Sequence, residues 1–311
     1  MIKKTLYFGN PAYLSLRNSQ LVIKLPEMLA VKNPTEEIRQ ASEVTKPIED
    51  LGVVVLDNRQ ITITQGLIAA LLDNNCAIIS CDEHSMPTGL MLPLYGNTTQ
   101  NERFRDQLDS SLPLRKQLWQ QTVQQKIENQ ARALEESTGE AHDCMHIWAK
   151  EVRSGDPDNL EGRAAAYYWR NFFPMIDGFT RSRERDCPNN LLNYGYAILR
   201  AVIARALVCS GLLPTLGIHH HNRYNAYCLA DDIMEPYRPF VDRLVSQLIQ
   251  KHGTYLELTR NIKAELLSIP SIDVSIGNKH SPLMVAATQT TASLQKCFSG
   301  ELKRLSYPLY E

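Results

Sequence analysis

Three short segments carry side chains able to do chemistry together. Asn159-Leu160-Glu161-Gly162-Arg163-Ala164-Ala165 places a carboxylate beside small residues that permit close packing. Gly217-Ile218-His219-His220-His221 delivers imidazoles at the end of an apolar stretch punctuated by Gly211 and Pro214. Asp231-Asp232-Ile233-Met234-Glu235-Pro236 sets Asp232 and Glu235 three positions apart, on one face if the segment is helical. One imidazole with two or three carboxylates makes a mixed oxygen and nitrogen donor set, which suits Mg²⁺ or Mn²⁺ better than a closed zinc site. Such an ion would polarise a phosphodiester and lower the pKa of a bound hydroxyl. Each segment also has a plainer reading. Glu161 can serve the first turn of a helix, the histidine run can be an exposed loop, and Arg238 can neutralise Glu235 in a surface pair.

Around the first segment, Arg163, Arg170, Arg181, Arg183 and Arg185 interleave with Tyr167, Tyr168, Trp169, Phe172, Phe173 and Phe179. Guanidinium forks bind phosphate and aromatic faces stack bases, so Arg163, Arg181, Arg183 and Arg185 are candidate DNA contacts, although most of the rings fit a helical core.

The elements that must position these groups differ along the chain. Residues 1–94 read as strands: Thr5–Phe8, a hairpin of Tyr13–Leu16 and Leu21–Leu25 across Asn18-Ser19, a polar excursion over 27–47, a buried strand at Gly52–Leu56, and Ile61–Thr64 alternating with period two. Thr64 is placed to cap a short helix, and Cys76–Ser80 reads as a further strand. From about residue 100 helical spacing takes over, with Pro113 at a first turn, Gly139 as a stop, and patterns at 161–176, 189–211 and 228–251. The expected fold is α+β in two domains: a small β-rich domain over 1–94 and a larger all-α domain over 95–311, less ordered after about 275.

Composition narrows the classes. The chain has 311 residues, Lys+Arg 33 against Asp+Glu 34, a formal net charge of -1 and a mean hydropathy of -0.28. At roughly 150 residues per domain that length suits two domains. No uninterrupted apolar stretch approaches about 18 residues, so no membrane contact and a cytoplasmic location are expected. Seven scattered cysteines without a C-x-x-C pair support neither a disulfide framework nor a zinc ribbon. Neither G-x-G-x-x-G nor G-x-x-x-x-G-K-[ST] occurs.

Taken in order, these segments resemble the CRISPR-associated endonuclease/integrase of the spacer-acquisition module, in its shorter type II form. The likeness also runs through Pro47–Val55, Ile63–Leu67, Met86–Gly89, Pro93–Gly96 and Asn189–Tyr196. It implies a metal site of Glu161, His220 and Glu235, with Asp232 the neighbouring candidate, holding Mg²⁺ or Mn²⁺. It further implies transfer of the 3'-hydroxyl ends of double-stranded DNA fragments to CRISPR repeat DNA, in antiviral defence. The same resemblance implies a homodimer through the β domain and CRISPR-associated protein two as companion subunit. Two other functions fit the residues themselves: a metal-dependent repair nuclease with water as acceptor, and a DNA-binding scaffold without catalysis.

Overall fold

The computed structural model describes residues 3–26, 43–182, 186–253 and 256–311. The chain divides into two compact units, residues 1–94 and 95–311.

In the first unit, β1 (Lys4–Phe8), β5 (Leu51–Leu56) and β7 (Ala77–Cys81) are parallel, and β8 (Pro87–Met91) runs antiparallel at the edge, in the order β1-β5-β7-β8. A second sheet has β2 (Ala12–Arg17) and β3 (Gln20–Lys24) between β4 (Glu43–Pro47) and β6 (Ile61–Ile63). Arg17 pairs with Gln20 across Asn18 and Ser19, both at positive φ, the backbone a two-residue hairpin turn needs. The apolar positions of β2, β3 and β5 meet α1 (Gln65–Asp73) in a core that includes Leu14, Leu21, Leu51, Val54, Leu67 and Leu71. Thr64 stands at the N-cap of α1 but makes no side-chain cap bond. Residues 43–47, expected within a loop, pair antiparallel with β3, and residues 27–42 of that excursion lie outside the described residues.

The second unit is mostly helical. Its helices are α2 (Gln100–Leu108), α3 (Leu112–Thr138), α4 (Asp143–Glu151), α5 (Leu160–Asn171), α6 (Asn189–Cys209), α7 (Cys228–Met234), α8 (Arg238–His252), α9 (Arg260–Leu266) and α10 (Leu283–Phe298). On α3, Ser111 accepts from Leu114 N–H and Gly139 closes the helix at φ 72°. Helix α6 is long and apolar enough to cross a membrane, yet 83% of its apolar stretch is buried, because it is the helix around which α7, α8 and α10 pack.

Two expectations are corrected here. The unit is not all-α, since β9 (Asp273–Ile276) and β10 (Lys279–Pro282) form a hairpin. Nor does order fade after 275: α10 buries Leu283, Ala286, Ala287, Leu294 and Cys297, and its Thr291 donates to the Ala206 carbonyl on α6. Small residues there serve close helix packing instead of flexibility. The pattern over 228–251 is also interrupted. A 3-10 turn at Glu235–Tyr237 separates α7 from α8, where Pro236 cannot donate to a continuing helix. All seven cysteines are free.

Candidate active site

The imidazole turn is built from both sides. The Gln107 side chain on α2 donates to the carbonyls of Leu213 and Leu216 and accepts from Leu213 N–H, while Leu229 N–H at the start of α7 donates to the Pro214 carbonyl. The turn needs Gly217: a Cβ there would lie 2.4 Å from the His220 carbonyl oxygen and 2.8 Å from Asp232 Oδ2. Asp232, wholly buried on α7, accepts from the backbone N–H of His219 (2.9 Å) and His220 (3.3 Å), and its Oδ1 lies 2.5 Å from His220 Nδ1. A donor at Nδ1 leaves the Nε2 lone pair of His220 free. The hydrogen bond to Asp232 raises the His220 pKa, with Glu235 and Glu161 adding to it, so all three carboxylates act on this ring. His219 instead stacks on Trp119 of α3, with ring centroids 4.2 Å apart.

Glu161 sits in the first turn of α5, where Asp156 accepts its backbone N–H at 2.9 Å. Gly162 makes room for the helix cap instead of a neighbouring backbone: a Cβ would meet the Asn159 amide at 2.8 Å. Glu235 opens the 3-10 turn. Between the two carboxylates lies the ammonium of Lys126, from the buried face of α3, 2.7 Å from Glu161 Oε1 and 2.6 Å from Glu235 Oε2. Arg238 Nε stands 2.9 Å from Glu235 Oε1. Burial alone would raise the Glu235 pKa, but the charges of Arg238 and Lys126 outweigh it and hold the group below its ordinary value. Burial likewise opposes the Lys126 charge, and Glu235 with Glu161 raises its pKa nonetheless. The two oxygens of Glu235 are thus shared between two cations, Oε2 facing the Lys126 ammonium and Oε1 the Arg238 guanidinium.

Side-chain exposure climbs from 9% at Glu235 through 20% at Glu161 to 46% at His220, so the site opens outward on the imidazole side. Behind it, Asp242 accepts from Tyr168 and Tyr196, and burial pushes its pKa up to about 7. The Arg238 guanidinium spans from Glu235 to the Tyr196 ring, 4.6 Å from its centroid.

The structure thus brings Glu161, His220 and Glu235 around one small region and gives Asp232 a separate task. Among the described residues, no three His, Cys, Asp or Glu side chains already form a metal cage, and Lys126 lies between the acids. Of the arginines, Arg163 is exposed with its guanidinium 4.4 Å from the Trp148 ring centroid. Arg181 is committed to Asn189 (3.0 Å) and Asn193 (2.7 Å), while Arg183 and Arg185 lie outside the described residues. Sequence reading missed Lys126 and Trp119. The available signal was a lysine on the same helical stripe as Trp119, Val123 and Ile127, an apolar face where a charge needs partners.

Comparisons with known proteins agree with this architecture. Residues 8–257 match the family model described as CRISPR associated protein Cas1. A CRISPR-associated endonuclease Cas1 of Neisseria meningitidis serogroup C (strain 8013) is 36% identical over 296 residues, covering 95% of this chain and 92% of that protein. In fold the chain is similar to a casposase bound to integration product, with a TM-score of 0.77 at 21% identity, covering 98% of this chain and 92% of that one. It is similar too to a chain of a Cas6-RT-Cas1--Cas2 complex, with a TM-score of 0.72 at 18% identity over 99% of this chain and 36% of that one. The family model and the Neisseria relative place a chain of this fold in the class of CRISPR-associated endonucleases. The chain belongs to the Cas1 family.

Proposed function

We propose that this Cas1 is a metal-dependent DNA integrase that joins the 3'-hydroxyl ends of captured duplex fragments to CRISPR repeat DNA. The observation that carries the reading is the meeting of Glu161 and Glu235 beside an imidazole whose Nδ1 is tied to a buried carboxylate. The donors fit a hard divalent cation by their chemistry: two carboxylates and one imidazole nitrogen in one small region. Glu161, Glu235 and His220 Nε2 would hold Mg²⁺ or Mn²⁺. Asp232 would not, because its oxygens already serve the His219 and His220 backbone and the His220 ring. When bound, the ion supplies charge to the scissile phosphate and lowers the pKa of the attacking hydroxyl.

In the reaction, a P–O bond forms to the fragment's 3' oxygen as the bond to the repeat's own 3' oxygen breaks. The proton of the attacking hydroxyl passes through solvent to the leaving oxygen, so phosphodiesters are exchanged and no protein nucleophile is consumed. Asp232 orients the imidazole, Trp119 backs the turn, and exposed Arg163 is placed for a phosphate. We assign the β-rich unit the homodimer contact that the family resemblance implies, and a Cas2 protein the role of companion, a role the Cas6-RT-Cas1--Cas2 complex supports by holding a chain of this fold.

The test is joining of a labelled duplex to a repeat-bearing plasmid in Mg²⁺ or Mn²⁺. Glu161→Ala and His220→Ala are each expected to abolish joined product. Full joining by either variant would refute the site, and hydrolysed ends without joined product would make water the acceptor, the nuclease reading.

A further inference from the structure

We infer that Lys126 is the site's own counter-cation: its ammonium keeps Glu161 and Glu235 assembled in the absence of metal and competes with the divalent ion for the same oxygens. This rests on the metal-dependent reading above. Two carboxylates in a low-dielectric interior repel, and a buried charge without a partner is strongly destabilising. Lys126 answers both, at 2.7 Å and 2.6 Å from the two acids. With Arg238 on the other oxygen of Glu235, the two negative charges of Glu161 and Glu235 are balanced before any ion arrives. A divalent ion therefore enters a site already neutral. It can gain both carboxylates only if the ammonium gives up its position, and the flexible four-carbon stem of lysine allows that where a rigid guanidinium fork would not. Lys126 is thus a positioning residue: its release sets how tightly metal is held, and the incoming phosphate then accepts the surplus positive charge.

Mn²⁺ binding to the full chain, followed by the electron paramagnetic resonance of free Mn²⁺, and thermal unfolding in EDTA or Mn²⁺ test this. Lys126→Met is expected to bind Mn²⁺ about tenfold more tightly than the wild type, a difference of about 1.4 kcal/mol. Its Tm in EDTA falls, and Mn²⁺ raises that Tm by more than it raises the wild type's, whereas Lys126→Arg unfolds in EDTA like the wild type. Equal or weaker Mn²⁺ affinity in Lys126→Met overturns the inference. Should that variant not fold, acetic anhydride labelling of the wild type decides. Modification of Lys126 must rise when Mn²⁺ is added, and unchanged modification overturns the inference. Glu161→Ala separates the two failures. If it binds Mn²⁺ like the wild type, the metal reading itself falls, whereas loss of binding there with an indifferent Lys126→Met removes the counter-cation alone.

Discussion

At the scale of residues, Asp232 and Glu235 show how neighbouring acids acquire different work. Three positions apart, they read as interchangeable ligands. The backbone separates them: Asp232 is inside α7 and turns to the histidine loop, while Glu235 begins the 3-10 turn before Pro236 and meets Lys126. Removing the charge behind a ligating histidine costs about 10–100-fold in metal affinity or activity. Asp232→Asn should therefore lower plasmid joining by about that factor, with Mn²⁺ binding weakened alongside. Joining at the wild-type rate would show that Asp232 does not orient His220. Glu161, His220 and Glu235 were singled out by the order of the segments that carry the family resemblance, since each segment alone also had a plainer reading. Lys126 was not, because it lies among glutamines on a helix far from those segments in sequence, and its meaning comes only from what folds against it.

Among elements, α3 is the spine of the site. It carries Trp119 and Lys126, and α4 is clipped to it by His146, whose Nδ1 lies 2.8 Å from Glu128 Oε2 and whose Nε2 lies 3.0 Å from Glu135 Oε1. Burial by itself would lower the His146 pKa, but these two carboxylates outweigh it and raise it above the ordinary histidine value. A histidine raised in the folded state stabilises fully below its unfolded pKa and loses that contribution as pH rises through the folded one. His146→Gln should consequently depress Tm more at about pH 6 than at about pH 9, by differential scanning calorimetry. A deficit equal at both pH values would contradict the clip. Helix α3 was readable from end to end, since Pro113 and Gly139 mark its limits and its apolar residues keep helical spacing. The interruption after α7 was less so, because the apolar period continues through the 3-10 turn. The β9-β10 hairpin and α10 were obscured by glycine and proline, which signal turns but not what the turns join.

For the whole molecule, the boundary near residue 94 was legible because side-chain periodicity changes there from two to about 3.6. Strand order was not, since parallel pairing of β1, β5 and β7 is decided by contacts distant in sequence. Each unit has its own buried core, so residues 95–311 expressed alone should unfold cooperatively and bind Mn²⁺. Under the proposed dimer contact, this fragment should sediment as a monomer and the full chain as a dimer. A dimeric fragment would move the contact out of the β-rich unit.

One amide binds the history of the chain to its chemistry. Asn129, wholly buried on α3, donates to the Pro236 carbonyl at 2.8 Å and the Pro308 carbonyl at 3.0 Å, and accepts from Tyr310 N–H at 3.1 Å. The turn bearing Glu235 is thereby knotted to residues translated some seventy positions later. While the chain emerges from the ribosome, Glu161 and His220 are present long before that knot can be tied. The turn that carries Glu235 is accordingly fixed only after residues 308–310 have been made.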